Sequence, residues 1–258
     1  MLPSLFLSHG SPMTAIMESP ATTFLRGLGG LFDRPRAILV VSAHWETALP
    51  ALNAVSRNET IYDFRGFPAA LYQLTYPAPG APGLAGEIAQ RLRAAGFDAQ
   101  IDDRRGLDHG AWVPLYLAYP QADIPVLELS VQTDLGTAHH VRLGEALAWL
   151  RDEGVLIVGS GSFTHDLRRF RGQSMDAAEA PDVTAFADWM DDKIISHDVE
   201  SLIDYRARAP FAADEHPSEE HLLPLYVALG AAGEAGKASR LHSSTQLGIL
   251  RMDAYQWG

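Results

Sequence analysis

Ile38-Leu39-Val40-Val41-Ser42-Ala43-His44-Trp45 is a β-branched, apolar run that ends in a histidine. Apolar residues in unbroken succession, with no polar partner alternating between them, are the pattern of a strand buried on both faces. Such strands belong to parallel sheets covered by helices. The same arrangement occurs at Ser4-Leu5-Phe6-Leu7-Ser8-His9-Gly10-Ser11-Pro12, and again at Val155-Leu156-Ile157-Val158-Gly159-Ser160-Gly161-Ser162-Phe163-Thr164-His165. Leu5 to Leu7, Ala37 to Val41, Ile124 to Leu129 and Val155 to Val158 are therefore expected strands. A strand that delivers a histidine at its carboxyl end aims an imidazole into the crevice where open α/β sheets hold their ligands.

Helical patterns fall between these runs. Pro82 through Ala95 carries Leu84, Ile88, Leu92 and Ala95 on one stripe, with Pro82 suited to a first turn and Gly96 to the C-terminal end. Thr137 is a candidate cap for a helix running through Leu143, Leu147 and Leu150. Ser218 precedes Glu219 to Gly230, expected as an apolar helix with acids in its first turn. Arg240 to Thr245 and Gly248 to Tyr255 are expected closing strands, and Tyr76 to Pro82 a stiff surface loop. Alternating strands and helices predict the α/β class. The expectation is a single domain over residues 1–258: a central mixed β-sheet flanked by helices, with a metal site at the carboxyl ends of the strands.

Composition narrows the chemistry. The 258 residues are 47% hydrophobic and 20% charged, an ordinary globular make-up. A formal charge of −12 and the lack of Lys/Arg clusters work against nucleic acid as a partner. Ten histidines and no cysteine leave His, Asp and Glu as the possible metal ligands. Met1-Leu2-Pro3-Ser4 has no basic leader, and no apolar stretch reaches the length of a membrane span. A cytoplasmic protein is the expectation.

Five histidines stand in informative places. His9 and His44 are separated by about one βαβ crossover, roughly 30 residues or a little more, so adjacent parallel strands would bring both imidazoles to one sheet edge. That pairing favours metal ligands over two turn histidines bonded to backbone. His109, in Leu107-Asp108-His109-Gly110-Ala111-Trp112, suits a substrate-pocket loop or a packed loop position. His165 follows a Gly-rich turn that admits close approach of backbone or ligand; the plainer alternative is a helix-start residue paired with Asp166. His221 is placed in the first turn of the late helix, on its apolar face, where an imidazole needs partners for both nitrogens. His139, His140, His197, His216 and His242 are expected to be surface or capping residues. The chain contains no Gly-x-Ser-x-Gly elbow, no His-Glu-x-x-His pair, no P-loop and no Gly-x-Gly-x-x-Gly motif.

At these positions the chain resembles the type III extradiol ring-cleavage dioxygenases of the LigB-type superfamily, most closely the 4,5-DOPA dioxygenase-like branch. The likeness runs nearly end to end. It is carried by Phe6 to Met13, Val41 to Trp45, Ile61-Tyr62-Asp63-Phe64-Arg65-Gly66-Phe67-Pro68, Leu71-Tyr72, Tyr76 to Gly80, Leu107 to Trp112 and Glu220-His221-Leu222-Leu223-Pro224-Leu225. The resemblance implies His9, His44 and His221 as metal ligands. It implies His165 as a residue at the metal or beside it and the favoured acid–base group, with His109 as a further candidate for that role. Two departures from the branch are Asp166, where Asn is common, and Glu219, where Pro is usual.

What the resemblance implies chemically is O2 insertion into a catechol ring next to the diol, on DOPA or a related substituted catechol. The 4,5-cleavage gives a seco product that can cyclise. Fe(II) is expected for activity, and a three-histidine set can also hold Zn(II). The implied partners are a small catechol and O2, with no nucleic acid, no membrane and the oligomeric state left open. Two alternatives stand beside this reading: a non-enzymatic relative acting as a binding protein, and a zinc-dependent hydrolase using the same histidines.

Overall fold

In a computed structural model describing residues 1–233 and 235–258, the strands expected from apolar runs form the centre of an eight-stranded mixed sheet. The strands are β1 (Ser4–Ser8), β2 (Ala37–Glu46), β3 (Ala51–Asn53), β4 (Gln100–Asp102), β5 (Val126–Val131), β6 (Val155–Gly161), β7 (Ala238–His242), β8 (Thr245–Gln246), β9 (Leu250–Arg251) and β10 (Ala254–Trp257). The sheet order is β4-β3-β5-β2-β6-β1-β10-β7, while β8 and β9 make a separate ribbon. Helices α1 (Pro20–Leu28), α2 (Pro82–Ala94), α3 (His109–Ala118), α4 (Gly136–Leu147), α5 (Trp149–Asp152) and α6 (Pro181–Ile195) connect them. Three short helices follow, α7 (Val199–Ile203), α8 (Tyr205–Arg208) and α9 (Ala212–Glu215), and then α10 (Leu223–Ala232).

The unbroken apolar runs have a direct cause. Ile38 and Val40 of β2 pack into one core with Leu25, Trp112 and Leu115, whereas Leu39 and Val41 pack on the other face with Ile88, Leu143 and Val227. Helices cover both faces, so neither set of alternate side chains meets water. A third cluster under α6 and α10 joins Phe163, Phe186 and Tyr226 to Tyr255 and Trp257 of β10. The two ends of the chain thus share one sheet: β1 pairs antiparallel with β10.

Topology differs from the adjacent pairing expected for the first two histidine strands. β6 lies between β1 and β2, parallel to both. Register places Ser8 beside Gly161 and Ser42 beside Ser160, so the segments bearing His9, His44 and His165 leave the sheet at one edge.

Several local expectations need correction. Thr137 does not cap α4, which already begins at Gly136; its hydroxyl donates to the Ile203 carbonyl at 2.7 Å. The helix also breaks after Leu147, leaving Leu150 in α5. The late helix starts at Leu223, so His221 sits in the turn before it. Pro224 explains this, because its missing N–H is tolerated only in a first turn. The expected closing strands divide into four short ones, β7 to β10. Tyr76 and Ala78 of the supposed surface loop are buried, and the Val126 N–H donates to the Pro79 carbonyl. No helix among the described residues is long and apolar enough to cross a membrane.

Candidate metal centre

Each histidine of the cluster is delivered by a distinct local device. His9 follows β1 directly, and its Nδ1 lies 3.1 Å from the Ser160 hydroxyl of β6. That hydroxyl donates its one hydrogen to the Gly110 carbonyl at 2.5 Å, so it accepts from His9 Nδ1–H. His9 therefore turns an unprotonated Nε2 inward. His44, near the end of β2, brings its Nε2 to 3.0 Å from His9 Nε2, and its Nδ1 lies 3.6 Å from an Asp63 oxygen.

His221 approaches from the turn before α10. A Cβ at Gly161 would lie 2.0 Å from the His221 carbonyl, and one at Gly159 would lie 2.2 Å from that of Pro224. The glycines of β6 thus let the turn settle against the strand. His221 Nδ1–H donates to Glu220 Oε1 at 2.8 Å, leaving Nε2 buried with no hydrogen-bond partner among the described residues. An orphaned buried acceptor is costly unless something fills its lone pair.

Ligand atoms of His9, His44 and His221 all lie within 4.8 Å of one another. Two nitrogens bonded at about 2.1 Å to one ion, at a right angle, stand about 3.0 Å apart, which matches the His9–His44 separation. The donor set, its tautomers and the unsatisfied His221 nitrogen fit a divalent ion held by neutral imidazoles.

Electrostatics favour the neutral state. Burial, then the neighbouring imidazoles, hold His9 and His221 well below the usual histidine range. His44 is lowered to about 4, first by burial and then by His109, against the opposing pull of Asp108 and Asp63. Burial likewise lowers His165, opposed by Glu220 and Asp166. A cluster of this kind welcomes a cation only with its histidines deprotonated.

His165 and His109 complete the rim. The His165 ring stacks on His221 with centroids 3.4 Å apart and planes 14° apart. It groups with Glu220 and His221 rather than with the His9–His44 pair. Asp166 does not pair with it; the carboxylate takes the Arg168 guanidinium instead. His109 opens α3, whose N-terminus is capped by Asp108 accepting from Ala111 N–H. Asp108 in turn accepts from the Ser42 hydroxyl at 2.7 Å and from Arg105 at 2.7 Å, tying α3 to β2. The ring and backbone N–H groups of His109 both donate to Asp63, at 2.8 and 3.0 Å. Burial raises the Asp63 carboxyl, but the hydrogen bonds from His109 and the two rings nearby bring it below its usual value.

These side chains line a cavity of about 230 Å³ together with Ser11, Pro12, Phe64, Phe67, Ser162, Leu167 and Leu250. Phe64 meets the His109 ring edge-on at 5.7 Å and Phe67 at 5.3 Å, giving one wall an aromatic surface. A wider cleft of about 720 Å³ is lined in part by Phe97, Asp98, His139, Arg142 and Glu145, and none of the metal-type clusters found among the described residues lies in it. The candidate metal centre is therefore the smaller cavity.

All five histidines singled out from sequence meet there. Asp63, Glu220 and Ser160 orient the rings, and the sequence gives no sign of those roles beyond the place of Asp63 in Ile61 to Pro68 and of Glu220 before His221. Three of the histidines expected to be surface or capping residues are buried. His216 donates from Nε2 to the Phe163 carbonyl at 3.0 Å, His139 Nε2 lies 3.1 Å from Gln132 Oε1, and His140 accepts the Gln132 N–H. His242 is half-buried, stacked on Phe24.

Comparison with known proteins agrees with this geometry. The family described as the catalytic LigB subunit of aromatic ring-opening dioxygenase matches residues 3–249. The chain is 49% identical to a 4,5-DOPA dioxygenase extradiol of Beta vulgaris, over 98% of this chain and 96% of that one. It is 38% identical to the 4,5-DOPA dioxygenase extradiol of Escherichia coli (strain K12), over 100% and 95%. The crystal structure of an uncharacterized protein from Escherichia coli K12 superposes with a TM-score of 0.84 at 33% identity, covering all of both chains. Similarity of this extent, on a fold that gathers its histidines at one sheet edge, makes the chain a member of the LigB family of aromatic ring-opening dioxygenases.

Proposed function

We propose that this chain is an Fe(II)-dependent extradiol dioxygenase that opens DOPA or a related substituted catechol beside its diol, by 4,5-cleavage to a seco product that can cyclise. The observation that carries the reading is the convergence of the Nε2 atoms of His9, His44 and His221 on the floor of an aromatic-walled cavity, with the Nδ1–H of His9 and of His221 committed elsewhere. Those three residues are the proposed ligands, with His165 beside them. Iron bound there supplies electron transfer between a catecholate and O2, which a d10 ion such as Zn(II) cannot, although Zn(II) fits the same nitrogens.

The protein's own groups position the substrate and move its protons. Phe64 and Phe67 form the aromatic wall and limit water around the ring. Activating the diol requires a base, and His165 is neutral at pH 7 because burial disfavours its cation. The neutral form of His109 carries its lone pair on Nε2, since Nδ1–H is committed to Asp63. One of these rings would take a hydroxyl proton from the catechol and hold it for return to the product.

Family membership favours this oxygenase over the zinc hydrolase and the non-catalytic binding protein. A chain without cysteine fits a reducing cytoplasm, in which Fe(II) persists. The reading is tested by reconstituting anaerobically with Fe(II) and following O2 uptake with DOPA, caffeate and protocatechuate. One O2 consumed per catechol by the iron form supports it. No uptake with any catechol, or equal uptake by the zinc form, refutes it.

A further inference from the structure

We propose that Asp63 is a positioning residue that sets the tautomer of His109, and thereby keeps a proton acceptor facing the cavity; this rests on the oxygenase reading above. The Asp63 carboxylate grips His109 twice. Oδ1 accepts the backbone N–H at 3.0 Å, and Oδ2 accepts the ring Nδ1–H at 2.8 Å. The same Oδ2 lies 3.6 Å from His44 Nδ1, so the carboxylate that holds a proposed acid–base ring also stands beside a proposed ligand. His109 is buried and its ring packs edge-on against Phe64, which leaves little room for the imidazole to turn.

A carboxylate can only accept hydrogen bonds. While Asp63 is ionised, the hydrogen of a neutral His109 must sit on Nδ1, and Nε2 carries the lone pair. In that state the ring can take a proton from a substrate hydroxyl and later give it back. With the hydrogen on Nε2 the ring could only donate.

Asp63→Asn separates this role from simple support. Asparagine has one acceptor, yet two donors of His109 face it. The backbone N–H has no alternative form, whereas the ring has two. The favoured arrangement therefore keeps Oδ1 on the backbone and lets the amide NH2 donate to an unprotonated Nδ1, which moves the ring hydrogen to Nε2. The isosteric variant imposes the wrong tautomer, while Asp63→Ala leaves the ring free to take either. The expected order of turnover is wild type, then alanine, then asparagine, the last lower than wild type by a factor on the order of 10² to 10⁴.

The experiment measures kcat and KM for the catechol that the wild type cleaves, at saturating Fe(II), with metal content determined in parallel. It also records the ring ¹⁵N shifts of the full chain labelled at histidine, with Zn(II) added as a diamagnetic stand-in, His109 being assigned by its loss in His109→Gln. Wild type should show hydrogen on Nδ1 of His109, and Asp63→Asn should show it on Nε2, with kcat reduced far more than KM is changed. Near-normal turnover in Asp63→Asn alongside poor turnover in Asp63→Ala would mark a merely structural residue and overturn the proposal. A wild-type His109 already protonated on Nε2 would overturn it as well. The tautomer is readable even if no catechol is cleaved, so failure of the oxygenase reading is distinguishable from failure of this one.

Discussion

His9 and His44 face each other through their Nε2 atoms at 3.0 Å, although their strands are separated in the sheet by β6. The Ser160 hydroxyl of that intervening strand commits His9 Nδ1–H, so the lone pair of His9 is aimed at His44. A shared cation satisfies such a pair. Replacing His44 with Ala should abolish stoichiometric metal without unfolding the chain, because the ring is partly exposed and leaves little core volume behind. Metal analysis and thermal unfolding check this; full metal content in the variant would remove His44 from the ligand set.

His165 is expected to act on protons more than on metal. Its ring lies flat against His221 and does not join the His9–His44 pair. His165→Gln should lower turnover by a factor on the order of 10² to 10⁴ while iron stays bound. Loss of iron would make it a ligand instead, and unchanged turnover would pass the acid–base role to His109 alone.

Gly161 is required by the turn that carries His221. A Cβ there would meet the His221 carbonyl at 2.0 Å and Phe6 at 3.4 Å. Gly161→Ala should cost about 1–3 kcal/mol of stability and weaken metal binding together, since backbone cannot yield as a flexible side chain can. Denaturant unfolding with metal titration tests the coupling. A variant with wild-type stability and metal affinity would show that the close approach is not needed.

Acid stability should depend on a histidine outside the lining of the histidine cavity. His140 donates from Nδ1 to the Gly136 carbonyl and accepts the Gln132 N–H on Nε2, so only the neutral ring fits. Burial lowers its pKa from the usual 6.5 to about 4, against the raising effect of the Gly136 bond. Between those values the unfolded chain binds more protons than the folded one. The contribution is present above pH 6.5 and is lost as pH falls toward 4, amounting to about 2 kcal/mol by pH 5. His140→Gln retains an acceptor for Gln132 and should flatten the fall in urea midpoint between pH 7 and 5. An unchanged slope would assign the acid sensitivity to other groups.

The parallel core and the histidine edge were legible because their signals are local. Ile38 to Val41 are apolar on both faces, and His9 and His44 stand at strand ends. Pro224 likewise contained the helix start at Leu223, but the acids Glu219 and Glu220 suggested an earlier one. Orienting contacts were not legible. Asp63 reaches His109 across 46 residues and Ser160 reaches His9 across 151, separations that only the sheet order brings together. The burial of His139, His140 and His216 was hidden for the same reason, since each bonds through a ring nitrogen to a backbone or amide partner that no periodicity marks.

The most direct measurement is anomalous diffraction at the iron edge from crystals of the Fe(II)-loaded protein grown without oxygen. One peak about 2.1 Å from Nε2 of each of His9, His44 and His221 is the expected result. A peak held by a different set of side chains, or no peak in the 230 Å³ cavity, would contradict the assignment of this cluster as the catalytic metal centre.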